Sequence, residues 1–195
     1  MKQIKNIVFL IIPILLFSCT IEPEYFTAKE IGWKIEIPNK WKVENQIKLN
    51  NDIKEGEELI KKIDKDFELS GKEISLITFR KNKLSKFQAS IIPFKESYKG
   101  EWNDKYPLIK EYIYNVFKEQ NVDVDSTSNT ENISGVKFEV FNLKISKNHS
   151  LLMEQNMYRT YVNDYDFIIN MTSDNPLYKK QLLKILRTSK FINKK

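Results

Sequence analysis

The sequence has one cysteine, one histidine and five glycines among its 195 residues. One cysteine cannot form an intrachain disulfide, and it cannot supply the several thiolates of a Cys-rich zinc site. The glycines, at positions 32, 56, 71, 100 and 135, are too scattered for a phosphate-binding loop, and no Gly-x-Ser-x-Gly sequence occurs. The sequence therefore argues against a disulfide scaffold and against the common nucleotide-binding chemistries.

Catalytic and metal-binding patterns are also missing. His149 lies at a predicted turn between strands, and the sequence offers no partner that would orient it as a base. The acidic stretches Asp64–Glu68 and Asp123–Thr127 lack both the glycine and the final glutamate of an EF-hand loop. We therefore expect no enzymatic activity, no cofactor and no bound metal.

The charge balance is basic, with a formal net charge of +6, and only three of the 32 basic residues are arginines. Arginine recognises phosphates and bases through its planar fork, so a lysine-rich surface favours solubility over nucleic-acid binding. Lys179, Lys180, Lys184 and Arg187 concentrate positive charge near the C-terminus. They are either a solvated helix face that complements the helix dipole, or a binding surface for anionic lipid or an acidic partner.

The first 18 residues have the pattern of a secretory signal. Lys2 and Lys5 precede the apolar run Ile7–Phe17, which is shorter than the about 20 residues of a membrane span and ends just before Ser18 and Cys19. This pattern resembles the signal of bacterial lipoproteins. The resemblance implies that residues 1–18 are removed and that Cys19 carries acyl chains. An ordinary signal peptide with an incidental cysteine and a buried N-terminal strand remain as alternatives.

Residues 19–31 then form the lipidated cysteine and a predicted tether, because they show no sustained periodicity. Twelve residues after Cys19 reach at most about 40 Å, so the domain stays near its membrane. Thr20 is not the aspartate that retains many Gram-negative lipoproteins in the inner membrane, which favours the outer membrane. We expect a lipid-anchored protein of the bacterial cell envelope.

Residues 32–195 predict a single α+β domain, since strand and helix patterns alternate along the whole segment. Strand patterns cover Trp33–Ile37, Trp41–Val43, Glu73–Arg80, Phe87–Phe94, Val122–Asp125, Val136–Ile145, Leu151–Val162 and Tyr165–Thr172. Helical patterns cover residues 53–67, 109–117 and 178–186. This order favours an antiparallel sheet covered by helices.

Local signals mark several boundaries. Asn103 or Asp104 is the predicted cap of the second helix, and Asp174 or Asn175 that of the third. Asn163-Asp164 predicts a tight hairpin turn. In Val136–Ile145 the apolar positions change phase after Val140, which predicts a β-bulge.

Four features together resemble PsbP-like domains over about residues 32–191. They are the strand-Pro-x-x-Trp sequence from Ile35 through Pro38 to Trp41, the long central helix, the late hairpin Tyr161–Tyr165, and the terminal helix that runs into residues 188–191. The resemblance implies an α/β/α sandwich that serves chiefly as a binding module. It supplies no catalytic residues.

Aromatic residues give the remaining lead, since Trp41 and Trp102 either belong to the core or line a groove. We predict a non-catalytic lipoprotein that binds or scaffolds an envelope protein, using Trp41, Trp102 and the C-terminal cations. The alternative is a small-ligand carrier or sensor with an aromatic-lined cleft of at least about 300 Å³ near Trp41 or Trp102. An envelope hydrolase would need a nucleophile and base that the sequence does not reveal.

Overall fold

The computed structural model describes residues 22–45, the single residues 49, 51, 54 and 58, and residues 71–192. The predicted signal, Cys19 and the acidic stretch Asp64–Glu68 lie outside these residues. The apolar stripe of the first predicted helix (Ile53, Gly56, Ile60, Ile63 and Phe67) also lies outside them. The four single residues are all helical, and Leu49 is buried.

Ten strands and two helices follow one another in the described ranges. They are β1 (Glu24–Ala28), β2 (Trp33–Ile37), β3 (Lys42–Val43), β4 (Ile74–Arg80), β5 (Lys86–Pro93), α1 (Glu101–Lys118), β6 (Asp123–Ile133), β7 (Val136–Lys147), β8 (Ser150–Val162), β9 (Tyr165–Ser173), α2 (Pro176–Thr188) and β10 (Lys190–Phe191). The main sheet has the order β3-β4-β5-β9-β8-β7-β6, and a small sheet has the order β1-β2-β10. All paired strands are antiparallel, as predicted.

Strand β1 lies within the segment that we predicted as a tether. It pairs with β2 so that Phe26 lies opposite Ile35 and Ala28 opposite Trp33. Ala28 is buried and Phe26 packs against the core, and these contacts stabilise the short segment as a strand. The part of the predicted tether that precedes the domain therefore shortens to the few residues between Cys19 and Glu24.

The apolar positions of β7 change from one face of the strand to the other, and no bulge accompanies this change. Its register with β6 is continuous from Val136 to Ser146. Phe138 and Val140 face the core shared with α2, whereas Phe141 and Leu143 belong to a second cluster under α1. The bulge prediction at this place is wrong, because each face of the strand is covered by a different helix. A register shift does occur later, opposite Leu152 of β8.

The small sheet joins the two ends of the described domain. Trp33 of β2 lies opposite Phe191 of β10, and its ring stacks on Phe87 of the main sheet at 6.3 Å between centroids. Gly32, at φ +65°, approaches residue 192 so closely that its carbonyl accepts a hydrogen bond from the Ile192 amide at 2.6 Å. The N-terminal and C-terminal strands thus share one core.

Helix and turn boundaries follow the predicted signals in part. Asn175 caps α2 by accepting from the Leu177 amide at 2.8 Å, and Asn163 and Asp164 both have positive φ, as the predicted hairpin turn requires. The cap of helix α1 is Gly100, three or four residues before the predicted Asn103 or Asp104, so that prediction is wrong. The earlier start is possible because the carboxylate of Glu96 accepts the otherwise unpaired Trp102 amide at 3.1 Å.

Candidate functional site

A groove runs along α2, between this helix and the adjacent face of β6, β7 and β8. One part is a cavity of about 570 Å³ that follows α2 from Pro176 to Thr188. A second cavity of about 380 Å³ extends over the three strands. Both are lined by Glu154, Lys179, Leu183 and Arg187, so they form one continuous depression. We call it the α2 groove.

The two parts of the α2 groove differ in polarity. Leu151, Pro176 and Leu183 give the first part an apolar wall. The strand floor of the second part is polar, since Asn156 donates to Asn142, and Asn142 donates to Thr127 Oγ1 at 3.4 Å. A ligand that fills the groove would therefore meet an apolar wall and a row of amides and hydroxyls.

Two ion pairs cross the α2 groove and tie the helix to the sheet. Lys179 of α2 pairs with Glu154 of β8, and Arg187 pairs with Glu131 of β6 at 2.6 Å. Glu131 also accepts from the Tyr158 hydroxyl at 3.0 Å. The neighbouring guanidinium holds the pKa of Glu131 below its usual range, and burial beside Glu131 raises the pKa of Tyr158. Glu131 is thus kept ionised, and both Glu131 and Glu154 are occupied by cations.

The four predicted C-terminal cations fall into two classes. Lys179 and Arg187 carry the ion pairs just described. Lys180 and Lys184 are exposed on the rim of the α2 groove, and neither has an ion pair among the described residues. The cations therefore lie on one groove, as the surface interpretation requires, but only two are available to an anionic ligand.

Trp41, also predicted for the binding surface, lies in the core and outside the α2 groove. Only 7% of its surface is exposed. Its indole donates to Gln181 Oε1 at 3.1 Å, and its ring meets Phe79 and Tyr178 edge-on. Trp41 therefore connects α2 with the main sheet.

Trp102 lies on the other face of the main sheet, in a buried polar cluster. Its indole donates to Asp166 Oδ1 at 3.0 Å, and Asp166 also forms a buried ion pair with Arg159. The ring stacks on Tyr106 at 5.7 Å. Burial raises the pKa of Tyr106 to about 12 and lowers that of Arg159 to about 10, so both stay protonated at neutral pH.

A separate cavity of about 340 Å³ adjoins Trp102. Thr160, Tyr161, Lys137 and Glu139 contribute to its walls. This cavity has the volume that the ligand-carrier alternative requires, and Trp102 and Tyr161 are its aromatic lining residues, among charged side chains such as Glu96 and Lys99. The two tryptophans do not share it, because Trp41 lies across the sheet.

The residues that the sequence analysis considered as a possible base or as metal ligands lie on the surface. His149 is exposed in the β7–β8 turn at φ +62°, as predicted for a turn residue. Asp123 is exposed at the start of β6, whereas Asp125 is exposed and lines the α2 groove. Among the described residues, no group of three or more side chains of the His, Cys, Asp or Glu type converges to hold a metal. Within the same residues, no helix has the length and apolar character needed to cross a bilayer.

The strand residues of the α2 groove were missed by sequence reasoning. Their signal is a period of two on β6, where Asp125, Thr127, Asn129 and Glu131 all face the groove. Period-two polarity marks a solvated strand face as readily as a binding floor. Only the position of α2 above the strands separates the two interpretations.

Comparison with known proteins supports the fold and leaves the function open. No protein-family model matches the sequence, and no curated protein sequence matches it. Fourteen chains of solved structures are similar. One is the solution structure of cyanobacterial PsbP (CyanoP) from Synechocystis sp. PCC 6803, with a TM-score of 0.58 and 6% sequence identity over 90% of this chain and 96% of that chain. The chain therefore has a PsbP-like fold. Identity this low supports the fold alone.

Proposed function

We propose that this chain is a cell-envelope lipoprotein, anchored through Cys19, whose domain binds or scaffolds an envelope protein without catalysis. The α2 groove is the observation that carries the binding role. It is preformed, two ion pairs cross it and tie α2 to the sheet, and Glu131 and Glu154 are occupied by cations rather than poised as acid and base. The signal-like residues 1–18 carry the anchoring role. Thr20 favours the outer membrane.

The groove chemistry indicates the kind of protein segment that would bind. The wall formed by Leu151 and Leu183 suits an aliphatic side chain, and Lys180 and Lys184 on the rim suit carboxylates. An acidic segment with an aliphatic anchor satisfies both. We also interpret the layers of α1, main sheet and α2 as the α/β/α sandwich that the PsbP resemblance implies.

Two experiments test the two halves of this function. Metabolic labelling with an alkyne fatty acid should label the wild-type chain and leave the Cys19→Ala variant unlabelled. For the groove, a photo-crosslinker at Lys184 should capture one protein reproducibly in intact cells, while the same crosslinker at the exposed Glu111 of α1 should not. Capture at Lys184 should fall when Leu183 is changed to Asp. Equal capture from both positions would contradict binding at the groove.

The ligand-carrier alternative rests on the cavity beside Trp102. If that cavity holds a small molecule, envelope extracts should raise the melting temperature of the wild-type domain. The Lys137→Trp variant, which places a ring at the cavity wall, should lose the increase. An increase of the same size in both proteins would exclude this cavity.

A further inference from the structure

One end of the domain carries exposed leucines among lysines. The β4–β5 loop contributes Lys81, Lys83 and Leu84, the strand ends of the β7–β8 hairpin contribute Lys147 and Leu152, and the start of α2 contributes Leu177. We call these six residues the leucine–lysine end. All six are exposed, and Leu177 exposes 74% of its surface.

Contacts between the connecting segments hold this end together. Ser85, at the end of the β4–β5 loop, donates to Asp174 Oδ1 at 2.6 Å just before α2. On the other side, Leu151 next to the β7–β8 turn and Pro176 of α2 line the same cavity. The three segments are therefore neighbours, and their leucines and lysines form one surface.

The three segments carry more lysines than acidic side chains, and the exposed Asp123, opposite Ser146, is a neighbouring acid on β6. None of Lys81, Lys83 and Lys147 has an ion pair among the described residues. Asp174 is the acidic side chain between the β4–β5 loop and α2, and hydrogen bonds from Ser85 and Asn82 hold its pKa below its usual range. Single exposed leucines are ordinary, but leucines on three adjacent segments, each with or beside lysines, form an amphipathic surface.

The chain enters the domain at this same end. Glu24, the first residue of β1, lies opposite Ile37, the last residue of β2. Ile37 leads into the turn at Lys40, and the Lys81 ammonium donates to the Lys40 carbonyl at 3.1 Å. Glu24 is five residues from Cys19, a span of at most about 18 Å. An acyl anchor at Cys19 would therefore keep this end, rather than the opposite one, close to the bilayer.

We propose that the leucine–lysine end docks on the surface of an anionic phospholipid bilayer. This proposal rests on the proposed anchor at Cys19. Lysines attract anionic headgroups, and leucines enter the boundary between headgroups and acyl chains. The anchor holds the end at high local concentration, so weak contacts suffice for docking. Lys184 and Arg187, further along α2, stay clear of the bilayer, which leaves much of the α2 groove accessible.

The test uses the lipidated chain in vesicles and an environment-sensitive label. Because Cys19 is the sole cysteine and its sulfur is acylated, a Leu177→Cys variant takes an NBD label at one position. Lys99→Cys in the β5–α1 loop provides the control, since that loop lies at the opposite end, where the Phe94 amide donates to the Asp164 carbonyl. In vesicles with 30% phosphatidylglycerol, NBD at position 177 should increase several-fold in intensity and shift to the blue. NBD at position 99 should not change.

Charge-matched variants separate docking from non-specific attraction. Lys81→Glu/Lys83→Glu should abolish most of the NBD shift at position 177, whereas Lys95→Glu/Lys99→Glu, with the same change of net charge, should preserve it. Leu177 and Leu108 are both exposed helix leucines, at 74% and 66%. In a second readout, acrylamide quenching of NBD on a Leu152→Cys variant, Leu177→Gln should restore access of the quencher, and Leu108→Gln should not.

The outcomes distinguish the docking surface from the anchor. An acylated chain that floats with the vesicles but keeps both labels in water overturns the docking proposal and leaves the anchor in place. Shielding of position 177 in native membranes but not in protein-free vesicles assigns the surface to a protein and also overturns it. A chain without acyl mass contradicts the anchor. On such a chain, a label at position 177 that stays in water overturns docking as well.

Discussion

The indole N–H of Trp33 donates to Ser189 Oγ at 3.0 Å, although 156 residues separate the two in the sequence. Both residues are buried, and Trp33 has no exposed surface. The bond connects strand β2 with the residue that follows α2. Because the indole has one donor and no water reaches it, Ser189 is the group that satisfies it in the folded state.

Replacing Ser189 with Ala should destabilise the domain by about 1–3 kcal/mol, because it leaves the Trp33 N–H buried without an acceptor. Urea unfolding followed by tryptophan fluorescence measures the change. Ser126→Ala, at an exposed position on β6, should change stability by less than about 0.5 kcal/mol. Equal effects of the two substitutions would show that the Trp33–Ser189 hydrogen bond makes no net contribution to the free energy of unfolding.

The buried ion pair of Arg159 and Asp166 should be sensitive to loss of one partner. Asp166→Ala leaves the Arg159 charge buried and also removes the acceptor of the Trp102 N–H, so we expect a loss of about 3–5 kcal/mol. The double variant Arg159→Met/Asp166→Leu should recover part of this loss, because no uncompensated charge remains. Lys137→Ala, which breaks an exposed pair with Glu139, should cost under about 1 kcal/mol. A double variant less stable than the single one would contradict this account.

Two glycines with positive φ provide a matched comparison. A Cβ at Gly32 would lie 2.6 Å from the Ile192 carbonyl oxygen, whereas a Cβ at Gly135 would meet nothing within 4 Å. Gly135→Ala should therefore cost only the left-handed backbone penalty of about 1–2 kcal/mol. Gly32→Ala should cost clearly more and should increase hydrogen exchange at Ile192. If the two variants are equally stable, the close approach of residue 192 has no energetic role.

The Glu131–Arg187 pair predicts a pH dependence. The folded-state pKa of Glu131 is lowered chiefly by the Arg187 hydrogen bond, so this pair stabilises the fold above the ordinary pKa of a glutamate. Its contribution should vanish as the pH falls through the lowered value. Arg187→Gln should raise the Glu131 pKa in a carboxyl NMR titration and reduce stability by under about 1 kcal/mol at neutral pH, since the pair is partly exposed. The variant and the wild type should have the same stability at low pH. A gap that persists there would assign the effect to packing.

Local signals in the sequence predicted the elements whose causes are local. Asn163 and Asp164 specify the β8–β9 hairpin because both adopt positive φ, and Asn175 with Pro176 specifies the start of α2. The alternating residues of β2 likewise predicted a strand. In each case the residues within the element determine its conformation.

Elements with distant causes could not be predicted from the sequence. β1 is a strand because Phe26 lies opposite Ile35 and against the core, and no pattern within five residues shows this. The phase change in β7 comes from two helices on opposite faces. Trp41 and Trp102 are core residues because Gln181 and Asp166 accept their indole protons, and both acceptors are far away in sequence. The α2 groove likewise requires a helix and three strands to be placed first.

The pairing of β10 with β2 also determines when the fold can be completed. The ribosome adds Lys190 and Phe191 more than 150 residues after β2, and these two residues supply the second neighbour of β2. Until they emerge, Trp33 lacks both its cross-strand partner Phe191 and its acceptor Ser189. The small sheet therefore closes only after every other described strand has been synthesised.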